Sequence, residues 1–231
     1  MLKHLYKRYQ VSAAVMLLPI GLGSPFLYAQ TNQILLANGN TSEWEEETFS
    51  GRTRYETTTF EDQDVLKAVS TGTASGLILK KQIDLLQTPY VNWSWLIKEK
   101  LPNLDEQTKN GDDYAARIYV IIDGGLMVWK TQSLNYVWSS SQDMGKVWDN
   151  AYVGPKVKMV AVRGSDSNTH QWYQEKRNVY QDLITYMGDK GSDEANRKAY
   201  QYIDAIAIMT DTDNSQSKAE TYYGKITFSV N

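Results

Sequence analysis

The chain contains no cysteine. That excludes disulfide staples, thiol nucleophiles, cysteine-built zinc sites and a lipidated N-terminal cysteine. Histidine is almost as scarce: His4 lies among the first few residues, and beyond it only His170 remains. His170 follows the polar stretch Gly164-Ser165-Asp166-Ser167-Asn168-Thr169, and no G-x-S-x-G elbow supplies a serine for a triad. The formal charge is −3 and no basic run is present, which argues against nucleic acid and anionic lipid as partners. Catalysis would fall to carboxylates, tyrosines, lysines or a hard metal ion. Phenylalanine is rare as well, four residues against sixteen tyrosines and seven tryptophans. Tyr and Trp pair an apolar face with a hydrogen-bonding edge, so they suit wet binding surfaces as well as cores.

What is present begins with an address. Lys3, Lys7 and Arg8 form a positive n-region, Val11 to Leu22 an apolar h-region, and Leu27-Tyr28-Ala29 a cleavage site, with Gln30 next. Pro19, Gly21 and Gly23 break a run already too short to span a bilayer. Residues 1–29 are therefore expected to be a secretory signal peptide, and the protein to be periplasmic or secreted, without stable membrane insertion after cleavage. Three of the 24 basic residues and none of the 27 acids fall in that segment, leaving 21 against 27, a balance of −6. Residues 30–43 read as a short polar leader and 44–231 as one domain, long enough to be held by core burial alone.

Short apolar segments recur about every ten residues between Gly, Ser and Asp. Strands are expected at Thr53 to Phe60, Val65 to Ser70, Leu77 to Ile83, Tyr90 to Lys98 and Tyr114 to Ile122. Leu126 to Trp129, Leu134 to Ser139, Val157 to Arg163, Ile203 to Thr210 and Tyr222 to Val230 complete the set. Tyr173 to Met187 reads as a helix closed by Gly188, and Ser192 to Tyr202 as a short second helix with Ser192 as N-cap. The pattern indicates an all-β sandwich of jelly-roll type with one or two decorating helices.

Alternation sorts side chains by face. In Val91-Asn92-Trp93-Ser94-Trp95-Leu96-Ile97 both tryptophans share a face with Val91 and Ile97, the company of a core. Trp138 shares Leu134's face in a more open segment, and Trp129 and Trp148 lie in loop-like polar surroundings suited to exposed stacking. In Gly111-Asp112-Asp113-Tyr114-Ala115-Ala116-Arg117, two carboxylates open a strand, and Arg117 falls among Ala115, Tyr119 and Ile121. Such an arginine needs a partner: either Arg117, Asp112 and Asp113 bind a polar ligand, or they form an internal ion pair. Arg163 and Arg177 are further candidate donors, although a helical Arg177 beside Glu175 and Asp182 also suits a solvated face. Asp211 and Asp213 open Asp211-Thr212-Asp213-Asn214-Ser215, which imitates a calcium loop until Gln216 and Tyr222 stand where an EF-hand has Gly and Glu. An EF-hand is thereby rejected; a looser calcium site is compatible with these residues, and no organic cofactor is expected.

Four segments together carry a resemblance: Gly111 to Arg117, Asn135-Tyr136-Val137-Trp138, Glu175-Lys176-Arg177-Asn178-Val179 and Met209 to Asn214. They resemble the bacterial family labelled domain of unknown function 3047, from about Trp44 to the C-terminus. The resemblance implies an exported single-domain protein, with a fold similar by analogy to galactose-binding-like jelly rolls, and brings no activity or catalytic residue. Composition and fold favour non-catalytic glycan binding, with a glycan or other small polar ligand held by Asp112, Asp113, Arg117, Trp129, Trp138, Trp148, Arg163, Arg177, Asp211 and Asp213. The alternatives are a glycosidase or lyase using Asp112 or Asp113 with Asp211 or Asp213, and a structural envelope protein.

Overall fold

The computed structural model describes residues 33–37, 40–127 and 130–231; residues 1–29 and Trp129 lie outside them. Fourteen strands form two sheets. In the first, β6 (Tyr90–Ile97) is central. β13 (Lys218–Tyr223) and β14 (Ile226–Ser229) lie in line along one edge of it, and β11 (Tyr173–Asn178) lies along the other. β4 (Gln63–Thr71) and β3 (Arg54–Phe60) extend the sheet beyond β13, and β1 (Gln33–Ala37) flanks β14.

The second sheet begins with β2 (Glu45–Ser50), β5 (Ala74–Asp84), β12 (Tyr202–Asp211) and β7 (Arg117–Ile122). It continues through β8 (Gln132–Trp138) and β10 (Gly154–Arg163) to β9 (Val147–Asn150). β8 and β10 pair in parallel; every other pairing in both sheets is antiparallel. The expected all-β sandwich is the fold.

The core lies where the inward faces meet. Val91, Trp93, Trp95 and Ile97 point inward from β6, as alternation requires. Trp93 stacks on Tyr136 of β8 with ring centroids 5.4 Å apart, and Trp95 meets Trp138 at 5.8 Å. These pairs couple the two sheets through their largest side chains. Trp138 is only 2% exposed, so the open setting expected for it is replaced by a core position between Trp95 and Tyr173. Asn135, on the opposite face, is buried as well and accepts from Ser133 Oγ at 2.7 Å.

Among the described residues, two helices decorate the sandwich, α1 (Val179–Met187) and α2 (Asp193–Tyr200). The longer helix expected from Tyr173 starts only at Val179, because Tyr173–Asn178 pairs with β6 residue for residue. Asn178 makes the switch: its backbone is extended and its side chain accepts from Gln181 N, the signature of an N-cap. Gly188 closes α1 at φ 98°, a conformation that favours glycine, and Ser192 caps α2 by accepting from Ala195 N. The strand expected at Leu126 to Trp129 is instead a turn in its described part, with Met127 N donating to Gly124 O.

Candidate functional site

The arginines of the sequence motifs are all occupied internally. Arg117 opens β7 and is fully buried, with its guanidinium over the Tyr114 ring at 4.6 Å. Nε donates to Asp211 Oδ1 at 3.0 Å, and Nη2 donates to Asp211 Oδ2 and to the Asp112 carbonyl. Nη1 lies 3.8 Å from Asp112 Oδ1. Of the two readings left open for Arg117, the structure shows the internal ion pair. Asp112 also accepts from Asn150 Nδ2 through both oxygens at 3.2 Å. Burial pushes its pKa up to about 6, against the opposing pull of Arg117.

Asp113 is buried too. Its oxygens accept from Asn214 N at 3.1 Å and Ser215 N at 2.6 Å, so it shapes the turn that follows β12. Asp213 is half-buried, and its pKa is raised by burial and by the charge of Asp113. The two aspartate segments therefore converge: Asp113, Asp211 and Asp213 carry oxygens within 4.8 Å of one another. Asp211 and Asp213 border a pocket of about 180 Å³ whose rim includes Asp112, Tyr152 and Asn214. Hard carboxylate oxygens suit calcium in kind, but both oxygens of Asp211 already accept from Arg117 and those of Asp113 from backbone N–H groups.

Arg163 and Arg177 do not join this cluster. Arg163 grips Glu175 of β11 with Nε–Oε1 at 2.5 Å and Nη2–Oε2 at 2.9 Å, and stacks on Tyr173 at 3.9 Å. Arg177 grips Asp182 of α1 at 2.8 and 2.6 Å, and Tyr136 donates to the same carboxylate at 2.8 Å. It ends a strand rather than lining a solvated helix face, because the helix begins after it. Trp148, expected as an exposed stacking residue, is 6% exposed and packs beside Tyr114 with centroids 6.5 Å apart.

A second concavity lies on the outward face of the first sheet, where none of these candidates falls. Its volume is about 400 Å³. Asn92 and Ser94, the outward residues of β6, form its floor with Thr227. Register places Gln174 opposite Ser94 and Thr227 opposite Asn92. The chain between β13 and β14 runs tight against that floor: Gly224 N donates to Ser94 O at 2.9 Å, and a Cβ on Gly224 would lie 2.1 Å from Ser94 Oγ. Glycine is required there, and it delivers Lys225 to the groove.

The opposite wall comes from the tight β3–β4 hairpin, which contributes Gln63 and Asp64. Its two turn residues, Glu61 and Asp62, have φ of 49° and 61°, the left-handed pair of a type I′ turn built without glycine. Glu61 accepts from Trp172 Nε1 at 2.9 Å, fixing the hairpin to the strand across the sheet. Trp172, Phe60 and Tyr222 form an aromatic ridge, with Phe60 stacked on Tyr222 at 4.2 Å and Lys98 Nζ 4.9 Å from the Phe60 ring centre. Sequence reasoning missed this groove. The outward places of Asn92 and Ser94 followed from alternation, but Gln174 was hidden inside a supposed helix.

Residues 42–227 match the family described as "Protein of unknown function (DUF3047)". The chain belongs to that family. No curated protein matches it in sequence. Among solved structures, it is similar to the family 11 carbohydrate-binding module of a cellulosomal cellulase of Clostridium thermocellum: 9% identity, TM-score 0.46, covering 87% of this chain and 95% of that one. The same module in complex with a β-1,3-1,4-mixed-linked tetrasaccharide gives 8% identity and TM-score 0.44, covering 87% and 96%. The enzymatically active domain of a bacteriophage tailspike protein gives 12% and 0.42, covering 84% of this chain and 21% of that one. Among the described residues, no helix is long and apolar enough to cross a membrane.

Proposed function

We propose that this protein is an exported, non-catalytic binder of a glycan, and that the groove on the outward face of the first sheet is where the ligand lies. One observation carries the reading: the groove walls are set with polar groups that the fold itself leaves unused. Gln63, Gln174 and Lys225 make no side-chain hydrogen bond or ion pair with the described residues, while the motif arginines and their carboxylates are engaged with one another. Free amides and an ammonium beside an aromatic ridge suit hydroxyl-rich chains, which need many directed hydrogen bonds and an apolar edge.

Hydrolysis by paired carboxylates draws less support. It needs two carboxyl groups free to face a substrate from opposite sides, and Asp112, Asp113 and Asp211 already serve Asn150, backbone N–H groups and Arg117.

The test is a glycan-array screen followed by titration calorimetry of the best ligand against wild type and Gln174→Trp. Gln174 is exposed on β11, so an indole there fills the groove without disturbing the core. Loss of binding at an unchanged melting temperature is the expected result. Undiminished binding by Gln174→Trp would place the ligand elsewhere.

A further inference from the structure

The groove's charges are few and of opposite sign. Asp64 and Lys225 are the two ionisable residues that line it. Nearby charges are engaged: Lys176 Nζ lies 4.7 Å from the ring centre of Tyr90, and Glu61 holds Trp172. Asp64 accepts one long hydrogen bond, from Thr59 at 3.3 Å, and the Lys225 ammonium donates none to the described residues. They form no ion pair with each other or with any other described residue.

A neutral chain laid into this groove would meet both charges with hydroxyl groups alone, hydrogen-bonding them without compensating either charge. A chain of one sign would compensate one charge and strand the other. A ligand with both signs meets each wall with the opposite charge, and charge-assisted hydrogen bonds are about twice as strong as neutral ones. We propose that the groove selects a dipolar glycan, a sugar chain bearing an ammonium and a carboxylate group, with Asp64 meeting the ammonium and Lys225 the carboxylate. This rests on the groove being the binding site. The amides of Gln63 and Gln174 then serve the hydroxyls between the two charged groups.

Titration calorimetry with four probes separates the outcomes: neutral chitotetraose, its fully de-N-acetylated cationic form, anionic tetragalacturonate, and a disaccharide–peptide carrying a free amine and free carboxylates. The dipolar probe is expected to bind roughly ten-fold more tightly than the other three. Asp64→Asn and Lys225→Met, both at exposed positions, should each erase that advantage with the melting temperature unchanged. Equal affinity for a neutral or singly charged probe, untouched by the two substitutions but lost in Gln174→Trp, would overturn the dipolar selectivity and leave the groove as the site. Failure of all four probes to bind, or binding that survives Gln174→Trp, would overturn the groove reading and this inference with it.

Discussion

Arg163 and Trp95 share one carboxylate. Glu175 accepts two hydrogen bonds from the Arg163 guanidinium and, through Oε1, a third from the Trp95 indole N–H at 2.9 Å. Arg163 belongs to the second sheet, while Glu175 and Trp95 belong to the first, so this knot ties the two layers together. Removing the carboxylate leaves a half-buried guanidinium and a buried indole N–H without partners. Glu175→Ala is expected to cost about 3–5 kcal/mol in urea unfolding, and Glu175→Gln less. Arg163→Met should cost a comparable amount, because it strands the buried Glu175 carboxylate with only the Trp95 N–H left to it.

Asp112 makes stability depend on pH in the direction opposite to an ordinary ion-paired carboxylate. Folding raises its pKa from 3.8 to about 6, chiefly through burial. The folded state therefore prefers Asp112 protonated: its contribution is intact below about pH 4 and is lost as pH rises through about 6. Relative to wild type, Asp112→Asn should gain on the order of 3 kcal/mol between pH 4 and pH 7. Parallel urea titrations at the two pH values check this. A difference between the two proteins that does not change with pH would contradict it.

Arg117 is the cation around which four aspartates gather, and two of them touch its guanidinium directly. Arg117→Met leaves the buried Asp211 and Asp112 uncompensated. A loss of about 3–5 kcal/mol at pH 7 is expected, shrinking as the pH is lowered and the carboxylates take up protons. Thermal melts at pH 7 and pH 5 give the comparison; an equal loss at both would contradict it.

His170 occupies a left-handed backbone position at φ 58° and is exposed, with its N–H donating to Ile97 O at 2.9 Å. Glycine tolerates that conformation and keeps the donor. His170→Gly is expected to leave stability unchanged or to raise it by up to about 1 kcal/mol, with glycan affinity unaltered. A large fall in affinity at an unchanged melting temperature would show that the imidazole touches the ligand.

The sandwich was legible in the sequence because it rests on two-residue alternation, which places Trp93 and Trp95 in the core without any knowledge of their partners. The partners were not legible. Arg117 required a counter-charge, but Asp211 stands 94 residues away and meets it only through the pairing of β12 with β7. Tyr173 to Asn178 misled for a local reason: the helical period of Val179, Tyr180, Leu183, Ile184 and Met187 was extended back over a segment that has no apolar period of its own. Only pairing with β6 decides between the two. With that strand misread, the groove's Gln174 was invisible. Trp148 was misplaced because polar neighbours in sequence do not report the Tyr114 ring that covers it in space.

The pairing order also fixes when the molecule can fold. β12 sits between β5 and β7 in the middle of the second sheet, and β13 and β14 run along the central strand of the first. The last thirty residues of the chain thus supply the interior of both layers. Contacts this distant in sequence form late, after the loops they close. A chain ending before Tyr202 would hold separate pieces, β2 with β5, β3 with β4, β6 with β11 and β7 with β8, β10 and β9, and no strand to join them into two sheets. Completion of both sheets therefore waits on the final segment of the chain, and with it the closing of the core between them.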